Sequence, residues 1–139
     1  MKKIGLIAAM LGAALLGAGG AFAHDDATLD SMAAPHGGQL RMAGAYHYEL
    51  VLAKDGTAAK ERPVVVYVTD HAGQAIPTAG ATGTATILAD KTKVVATLAP
   101  DGDNRMKGAA AYPVTPGIKA VVSIALAGKE PEQARFTPK

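Results

Sequence analysis

The sequence predicts a small all-β domain, an immunoglobulin-like β-sandwich of about seven strands that follows an export signal. Several segments alternate apolar and polar residues with the two-residue period of a half-buried strand. Turn-forming residues such as Gly, Pro, Asp and Asn separate these segments at short, regular intervals after residue 35. No apolar stripe with the period of a helix occurs after the export signal. Together these observations favour a sandwich of short strands.

The first 23 residues have the three parts of a secretory signal peptide. Lys2 and Lys3 supply the positive charge, residues 4–16 form an apolar core, and Ala21-Phe22-Ala23 offers a signal-peptidase cleavage site. The apolar run is short for a retained membrane span, and the absence of cysteine excludes a lipoprotein anchor. We therefore expect a periplasmic protein that is not inserted in the membrane after cleavage.

Charge and cysteine content narrow the class of protein. Removal of Lys2 and Lys3 from the 14 basic residues leaves 12, which equals the number of acidic residues. A neutral domain without a basic patch argues against nucleic acid as a partner. The lack of cysteine excludes disulfides and thiolate ligands, so a metal site would use imidazole, carboxylate, thioether or the N-terminal amine.

The predicted organisation is a signal peptide over residues 1–23, a flexible N-terminal arm over 24–35 and one sandwich domain over 36–139. Residues 24–35 are polar and lack a clear period. The first predicted strand, residues 46–53, alternates Tyr46, Tyr48 and Leu50 toward the core with His47 and Glu49 on the outer face, about 7 Å apart. Turn signals divide the rest into strands at residues 63–69, 82–89, 93–99, 105–114, 118–127 and 134–137.

Histidine is the residue that points to a function, since neutral imidazole is the commonest protein ligand of transition metals. His36 stands in Pro35-His36-Gly37-Gly38, where the glycines permit a bend that brings the ring over a neighbouring strand. The alternative is a surface histidine in a strand-entry bend. Both interpretations remain open from the residue types alone.

Three further residues are candidate ligands beside His36. His71 follows Asp70 in a predicted turn, and Asp70 either assists the ring or simply accepts backbone hydrogen bonds. His47 and Glu49 lie two apart on one strand face, from which both side chains can reach one ion. The alternative for this pair is an ordinary polar outer face of a sandwich.

His24 would become the first residue of the exported protein after cleavage at Ala23. Its α-amine and ring nitrogen would then chelate one copper ion together, a geometry that suits Cu(II). The alternative is an arm that merely begins with histidine. Met32, Met42 and Met106 carry thioethers for Cu(I), but their spacing forms no methionine motif, and we expect Met42 and Met106 to pack.

Catalysis finds little support in the sequence. A cysteine nucleophile is impossible, and neither serine lies in a G-x-S-x-G context. The metalloprotease pattern His-Glu-x-x-His is also missing. We therefore predict that the protein is not an enzyme.

The motif Pro35-His36-Gly37-Gly38 resembles the heavy-metal-binding β-domain of periplasmic adaptor subunits in RND-type cation-efflux systems. Further matching segments are residues 44–51, 66–71, 73–77, 98–104 and 135–136. The resemblance implies a role in metal handling with His36 as a ligand. In the adaptor domains a second histidine usually follows a Glu-Pro pair, but residues 112–116 here contain none. His71, His47 or His24 must then substitute.

Two functional hypotheses follow. The first is a periplasmic accessory protein of heavy-metal efflux or homeostasis that binds copper or zinc through His36, His71, His24, His47 and Glu49. The second is a metal-free interaction module that docks on an efflux pump component or another envelope protein through an exposed sheet edge.

Overall fold

The computed structural model describes residues 25–139. The predicted signal peptide and His24 lie outside these residues. The described part contains eight antiparallel strands and one short helix. They are α1 (Asp26–Ser31), β1 (Gln39–Ala43), β2 (Tyr46–Val51), β3 (Lys60–Asp70), β4 (Thr82–Ala89), β5 (Thr92–Pro100), β6 (Arg105–Tyr112), β7 (Lys119–Ala125) and β8 (Glu132–Phe136). The predicted all-β fold is confirmed, with eight strands instead of about seven.

The strand that the sequence did not predict is β1. It contains five residues between Gly38 and Gly44, and its burial pattern does not alternate strictly, so the two-residue period does not identify it. It forms a hairpin with β2 through the two-residue loop Gly44-Ala45. Gly44 has a φ of 58°, which a type II′ turn requires at its first central position. This hairpin places β1 beside His47 and Glu49.

The strand order is β1-β2-β3-β6-β5-β4-β7-β8, so the sheet has two halves of four strands each. The halves are joined where β5 pairs with β6 at Ala99–Lys107 and Pro100–Met106. At the opposite edge the Gln39 amide donates to the Thr137 carbonyl at 3.2 Å and accepts from the Thr137 N–H at 2.9 Å. The sheet therefore curls until its first and last strands nearly meet.

The core lies between the two halves and includes the buried Tyr48, whose hydroxyl has hydrogen-bond partners. Tyr48 donates toward the carbonyls of Ile124 and Glu132, at 3.4 and 3.2 Å. Burial raises the pKa of Tyr48 well above its ordinary value. The other members of the core are mainly Val, Leu, Ile and Ala, and every strand contributes at least one of them. No helix in residues 25–139 is long and apolar enough to span a membrane.

Arg62 on β3 is 7% exposed and ties the loop after β2 to the sheet. Its guanidinium donates to the carbonyls of Tyr112, Gly56 and Ala58 at 3.0, 3.0 and 3.2 Å. Loss of these charge-assisted bonds removes three contacts between the loop and the sheet, and a hydrogen bond to a charged group contributes about 1.5–3 kcal/mol. We expect Arg62→Met to lower the free energy of unfolding by about 3 kcal/mol. Urea denaturation measures this, and Arg135→Met at an exposed strand position is the control. Equal stability of the two variants would contradict the role of Arg62.

Helix α1 occupies part of the segment that was predicted to be a flexible arm. Asp25 caps the helix, because its carboxylate accepts the N–H of Thr28 at 2.7 Å. Leu29 is buried, at 1% exposure. Six residues are too few to create a recognisable helical period, which explains why the sequence pattern predicted no regular structure here.

Arg41 on β1 fixes the helix to the sheet. Its guanidinium lies 2.9 Å from Asp30 and 3.4 Å from Asp26, measured between nitrogen and carboxylate oxygen. The hydrogen bond from Arg41 holds the pKa of Asp30 below its ordinary value. The chain therefore leaves α1 from a fixed position and enters the following segment, residues 32–36, close to the outer face of the first half of the sheet.

Candidate functional site

The site begins with the register of the first three strands. Glu49 on β2 pairs with Leu40 on β1 and with Tyr67 on β3, while His47 pairs with Thr69. Residues directly opposite one another on neighbouring strands project to the same face. These five side chains therefore share the outer face of the sheet, and His47 and Glu49 lie there as the two-residue period predicted.

This outer face is covered, not open to water. His47 is 2% exposed and Glu49 is 3% exposed. Residues 32–36 and the turn at 71–73 lie over the strands and enclose a cavity of about 170 Å³. The interpretation of His47 and Glu49 as an ordinary solvated strand face is therefore wrong. The lining residues are Met32, Ala33, Pro35, His36, Leu40, His47, Glu49, Tyr67, Thr69, His71, Ala72 and Gly73.

The motif Pro35-His36-Gly37-Gly38 forms a tight turn. The N–H of Gly37 donates to the carbonyl of Ala34 at 3.0 Å, so Pro35 and His36 are the central residues of a β-turn. Proline at the second position and glycine at the fourth are the residues that such a turn prefers. Gly38 packs so closely on β2 that a Cβ atom there would clash with the Leu50 carbonyl oxygen. The motif therefore presents His36 at the point where the chain meets the sheet.

Glu49 holds this turn in place through both carboxylate oxygens. Oε2 accepts the backbone N–H groups of His36 and Gly38 at 2.9 and 3.0 Å. Oε1 lies 2.9 Å from Nδ1 of the His36 ring. An ionised carboxylate only accepts hydrogen bonds, so this contact suits the tautomer in which Nδ1 donates to Glu49 and Nε2 keeps its lone pair. Glu49 is thus placed to orient His36, the arrangement in which a carboxylate supports a metal-bound imidazole.

Tyr67 fixes the plane of the same imidazole. The two rings are stacked, with centroids 3.5 Å apart and an interplanar angle of 2°. Tyr67 is itself paired across the sheet with Arg105. The pKa of Arg105 is raised by its hydrogen bond with the Tyr67 side chain and by the charge of Asp101. The His36 ring is therefore held by Glu49 at one edge and by Tyr67 on one face.

His71 approaches the cavity from the turn that follows β3. Asp70 stabilises this turn, because its Oδ1 accepts the N–H groups of Ala72 and Gln74, both at 2.9 Å. Asp70 therefore plays the turn-forming role that was one of its two predicted interpretations. The ring of His71 stacks on that of His47, with centroids 4.8 Å apart and an interplanar angle of 24°.

The candidate ligands are thus brought together with unequal roles. Three histidines far apart in the sequence, His36, His47 and His71, line one cavity. As these side chains stand, no three His, Asp or Glu groups within residues 25–139 are close enough together to hold a metal ion. The buried His47 ring is stacked on the ring of His71, which lies in the exposed turn after β3. The predicted ligand His24 lies outside the described residues.

Sequence reasoning did not single out Tyr67 as part of the site, and it named Met32 only as one of three methionines that could offer a thioether to Cu(I). Tyr67 is the single aromatic residue in a run of β-branched residues, a position that also fits a core strand. Its contact with His36 depends on the pairing of β2 with β3, which the sequence alone does not specify. Met32 belongs to a segment with no periodic pattern, and the helix before it brings it to the cavity.

Comparison with known proteins adds little to this geometry. No protein-family model matches the sequence, and no curated protein matches it. Among solved structures, the chain is similar to a DUF4426 family protein from Pseudomonas aeruginosa PAO1, with 13% sequence identity and a TM-score of 0.45. The alignment covers 73% of this chain and 94% of that chain. A likeness at this level carries no argument about function, which must come from the residues of the cavity.

Proposed function

We propose that this protein is a periplasmic metal-binding accessory protein for copper or zinc, linked to heavy-metal efflux or homeostasis. One observation carries the proposal. Three of the four histidines in the chain line the same small cavity, although the first of them, His36, and the last, His71, lie 35 positions apart in the sequence. Imidazole suits both zinc and copper. A periplasmic location rests on the predicted signal peptide, and the link to efflux rests on the Pro-His-Gly-Gly resemblance.

His36 is the proposed anchor of the ion. Its ring is oriented by Glu49 and Tyr67, so little conformational freedom remains to be lost when a metal binds at Nε2. Glu49 has both oxygens engaged by the turn. We therefore assign Glu49 a positioning role instead of the ligand role that the sequence suggested.

His47 and His71 are the proposed additional ligands. Their stacked rings do not converge on one point, so binding of one ion by both requires a rearrangement of the His47–His71 ring pair.

A native mass spectrum of the full chain exported to the periplasm tests this proposal. The protein is offered Cu(II) and Zn(II) at equal low concentration. We expect one ion per chain, and we expect His36→Ala to abolish its retention. His24→Ala is the matched control, because it removes the proposed N-terminal chelate and leaves the cavity intact. If His36→Ala retained the metal and His24→Ala lost it, the cavity would not be the metal site.

The affinity is expected to fall in acid. Protons compete with the metal for imidazole, whose ordinary pKa is about 6.5. Metal binding should therefore be strong above this range and weaken as the pH falls through it. Isothermal titrations with Zn(II) at several pH values measure this trend. A constant affinity between pH 7.5 and about 5.5 would exclude histidine as the main ligand.

A metal-free interaction module is the second candidate function. The observation that favours it is the pair of hydrogen bonds by which Glu49 fixes the turn at His36. A bend with a purely structural role would need the same hydrogen bonds. A docking partner would then be an efflux-pump component or another envelope protein. Affinity purification from periplasm with and without chelator separates the two functions. A partner retained in chelator supports the module, and a partner lost in chelator counts against it.

A further inference from the structure

We infer that Met32 is a thioether ligand of the cavity and that the site selects Cu(I) over Zn(II). This inference rests on the proposed metal-binding function and specifies its metal. Met32 lines the same cavity as His36, His47 and His71. It is also 44% exposed. Among the large apolar side chains of residues 25–139, only Met32, Leu88 and Val95 are exposed. Burial in the core therefore does not account for its position.

The fold holds Met32 at the rim of the cavity. It is the residue that caps the C-terminus of α1, and its N–H donates to the Leu29 carbonyl at 3.1 Å. The helix is fixed in turn by the buried Leu29 and by the ion pairs of Arg41 with Asp26 and Asp30. The backbone of Met32 is therefore fixed at the rim of the cavity that the three histidines line.

The chemistry of the available donors discriminates between the metals. A thioether is a soft ligand that Cu(I) accepts, whereas Zn(II) in proteins takes thiolate, imidazole or carboxylate. The chain has no cysteine. The carboxylate that lines the cavity, Glu49, has both oxygens engaged by His36 and Gly38. The remaining donors are imidazoles, which suit both metals, and one thioether, which is the donor that favours Cu(I).

The test measures the affinities of the full-length exported protein for Cu(I) and Zn(II) in two variants. Each variant replaces one methionine by leucine, so the change in side-chain size is the same. Met32→Leu removes the proposed ligand, and Met106→Leu removes a core thioether outside the cavity. Cu(I) affinity is measured without oxygen by competition with a coloured Cu(I) chelator, and Zn(II) affinity by competition with a Zn(II) indicator. We expect Met32→Leu to weaken the affinity for Cu(I) at least roughly tenfold, the smallest effect typical of losing an outer-shell partner. Its affinity for Zn(II) should not change. Met106→Leu should match the wild type for both metals.

The other outcomes identify what has failed. If Met32→Leu binds Cu(I) as tightly as the wild type while His36→Ala loses both metals, the inference about Met32 is wrong and the proposed function stands. The same holds if Met42→Leu, across from His47 in the β1–β2 pairing, weakens Cu(I) in place of Met32→Leu. If the wild type binds neither metal above a non-binding control protein, both the proposed function and this inference are wrong.

Discussion

His36→Ala is expected to reduce the affinity for Cu(I) and Zn(II) by more than roughly 100-fold. Loss of an outer-shell partner alone costs roughly 10- to 100-fold, and His36 is proposed as a direct ligand. The reason is that His36 is the histidine whose ring is held on two sides, by Glu49 at 2.9 Å and by Tyr67 at a centroid distance of 3.5 Å. Removal of this ring leaves His47 and His71 without the ligand that is already oriented. Competition titration with a chromophoric chelator measures the change.

The control for this experiment is the stability of the variant. The His36 side chain is 43% exposed, and substitutions at exposed positions usually change stability by less than about 0.5 kcal/mol. The loss of the contacts with Glu49 and Tyr67 adds to this, so urea denaturation should accompany every titration. A folded His36→Ala variant that binds metal as tightly as the wild type would overturn the assignment of His36 as the anchor.

Glu49→Leu is expected to lower the free energy of unfolding of the metal-free protein by roughly 2–5 kcal/mol. The carboxylate is 3% exposed and accepts the N–H groups of His36 and Gly38 as well as the His36 ring. A leucine of similar size fills the space but leaves these part-buried donors without their acceptor, and each unsatisfied donor costs up to about 1–3 kcal/mol. Urea denaturation in the presence of a chelator measures the effect without any contribution from bound metal.

The matched control is Glu61→Leu, at an exposed position on β3. Its effect on stability should be within about 0.5 kcal/mol. If Glu49→Leu were as stable as Glu61→Leu, the carboxylate would not be holding the turn. The milder Glu49→Gln keeps one oxygen acceptor and loses the other, so its stability should lie between the wild type and Glu49→Leu. Its metal affinity should fall roughly 10- to 100-fold, since the His36 ring loses its orienting partner.

The all-β fold was predictable because most strands are long enough to show their period. Residues 46–51 alternate core residues such as Tyr48 and Leu50 with His47 and Glu49, and the structure places them as the pattern indicates. The failures occur where the local pattern does not match the structure. In β1 the burial pattern does not alternate, because Arg41 is buried despite its charge, and α1 has only six residues, too few for a helical period to emerge. Both depend on tertiary contacts, notably Arg41 with Asp30.

The candidate site was predictable in its residues but not in its arrangement. His36, His47, Glu49 and His71 were singled out by residue type and by the strand pattern. Their convergence follows from the antiparallel pairing of β2 with β3, which sets Tyr46 opposite Asp70 and so brings His71 next to His47. Strand pairing is a long-range property that local periodicity does not contain. The role of Glu49 likewise emerges only when its oxygens are seen to accept backbone N–H groups.

The burial of His47 and Glu49 is another property that the strand pattern alone does not contain. On a sandwich with an open outer face, polar residues at these positions would be solvated. Here a covering segment crosses them because α1 is docked on β1 through Arg41 and Leu29. The same segment carries Met32 and Pro35 to the cavity. A stretch without any visible pattern is therefore the part of the chain that turns a strand face into an enclosed site.

The most direct test of the account is an NMR titration of the ¹⁵N-labelled full-length protein with Zn(II), followed through the imidazole nitrogens. Zn(II) is diamagnetic and reports on the histidines whichever metal the site prefers. The account predicts that the rings of His36, His47 and His71 change together and that the changes end at one ion per chain. His36 should bind through Nε2 while Nδ1 keeps its proton toward Glu49. Independent, incomplete changes at the exposed His36 and His71, with His47 unaffected, would contradict a shared metal site.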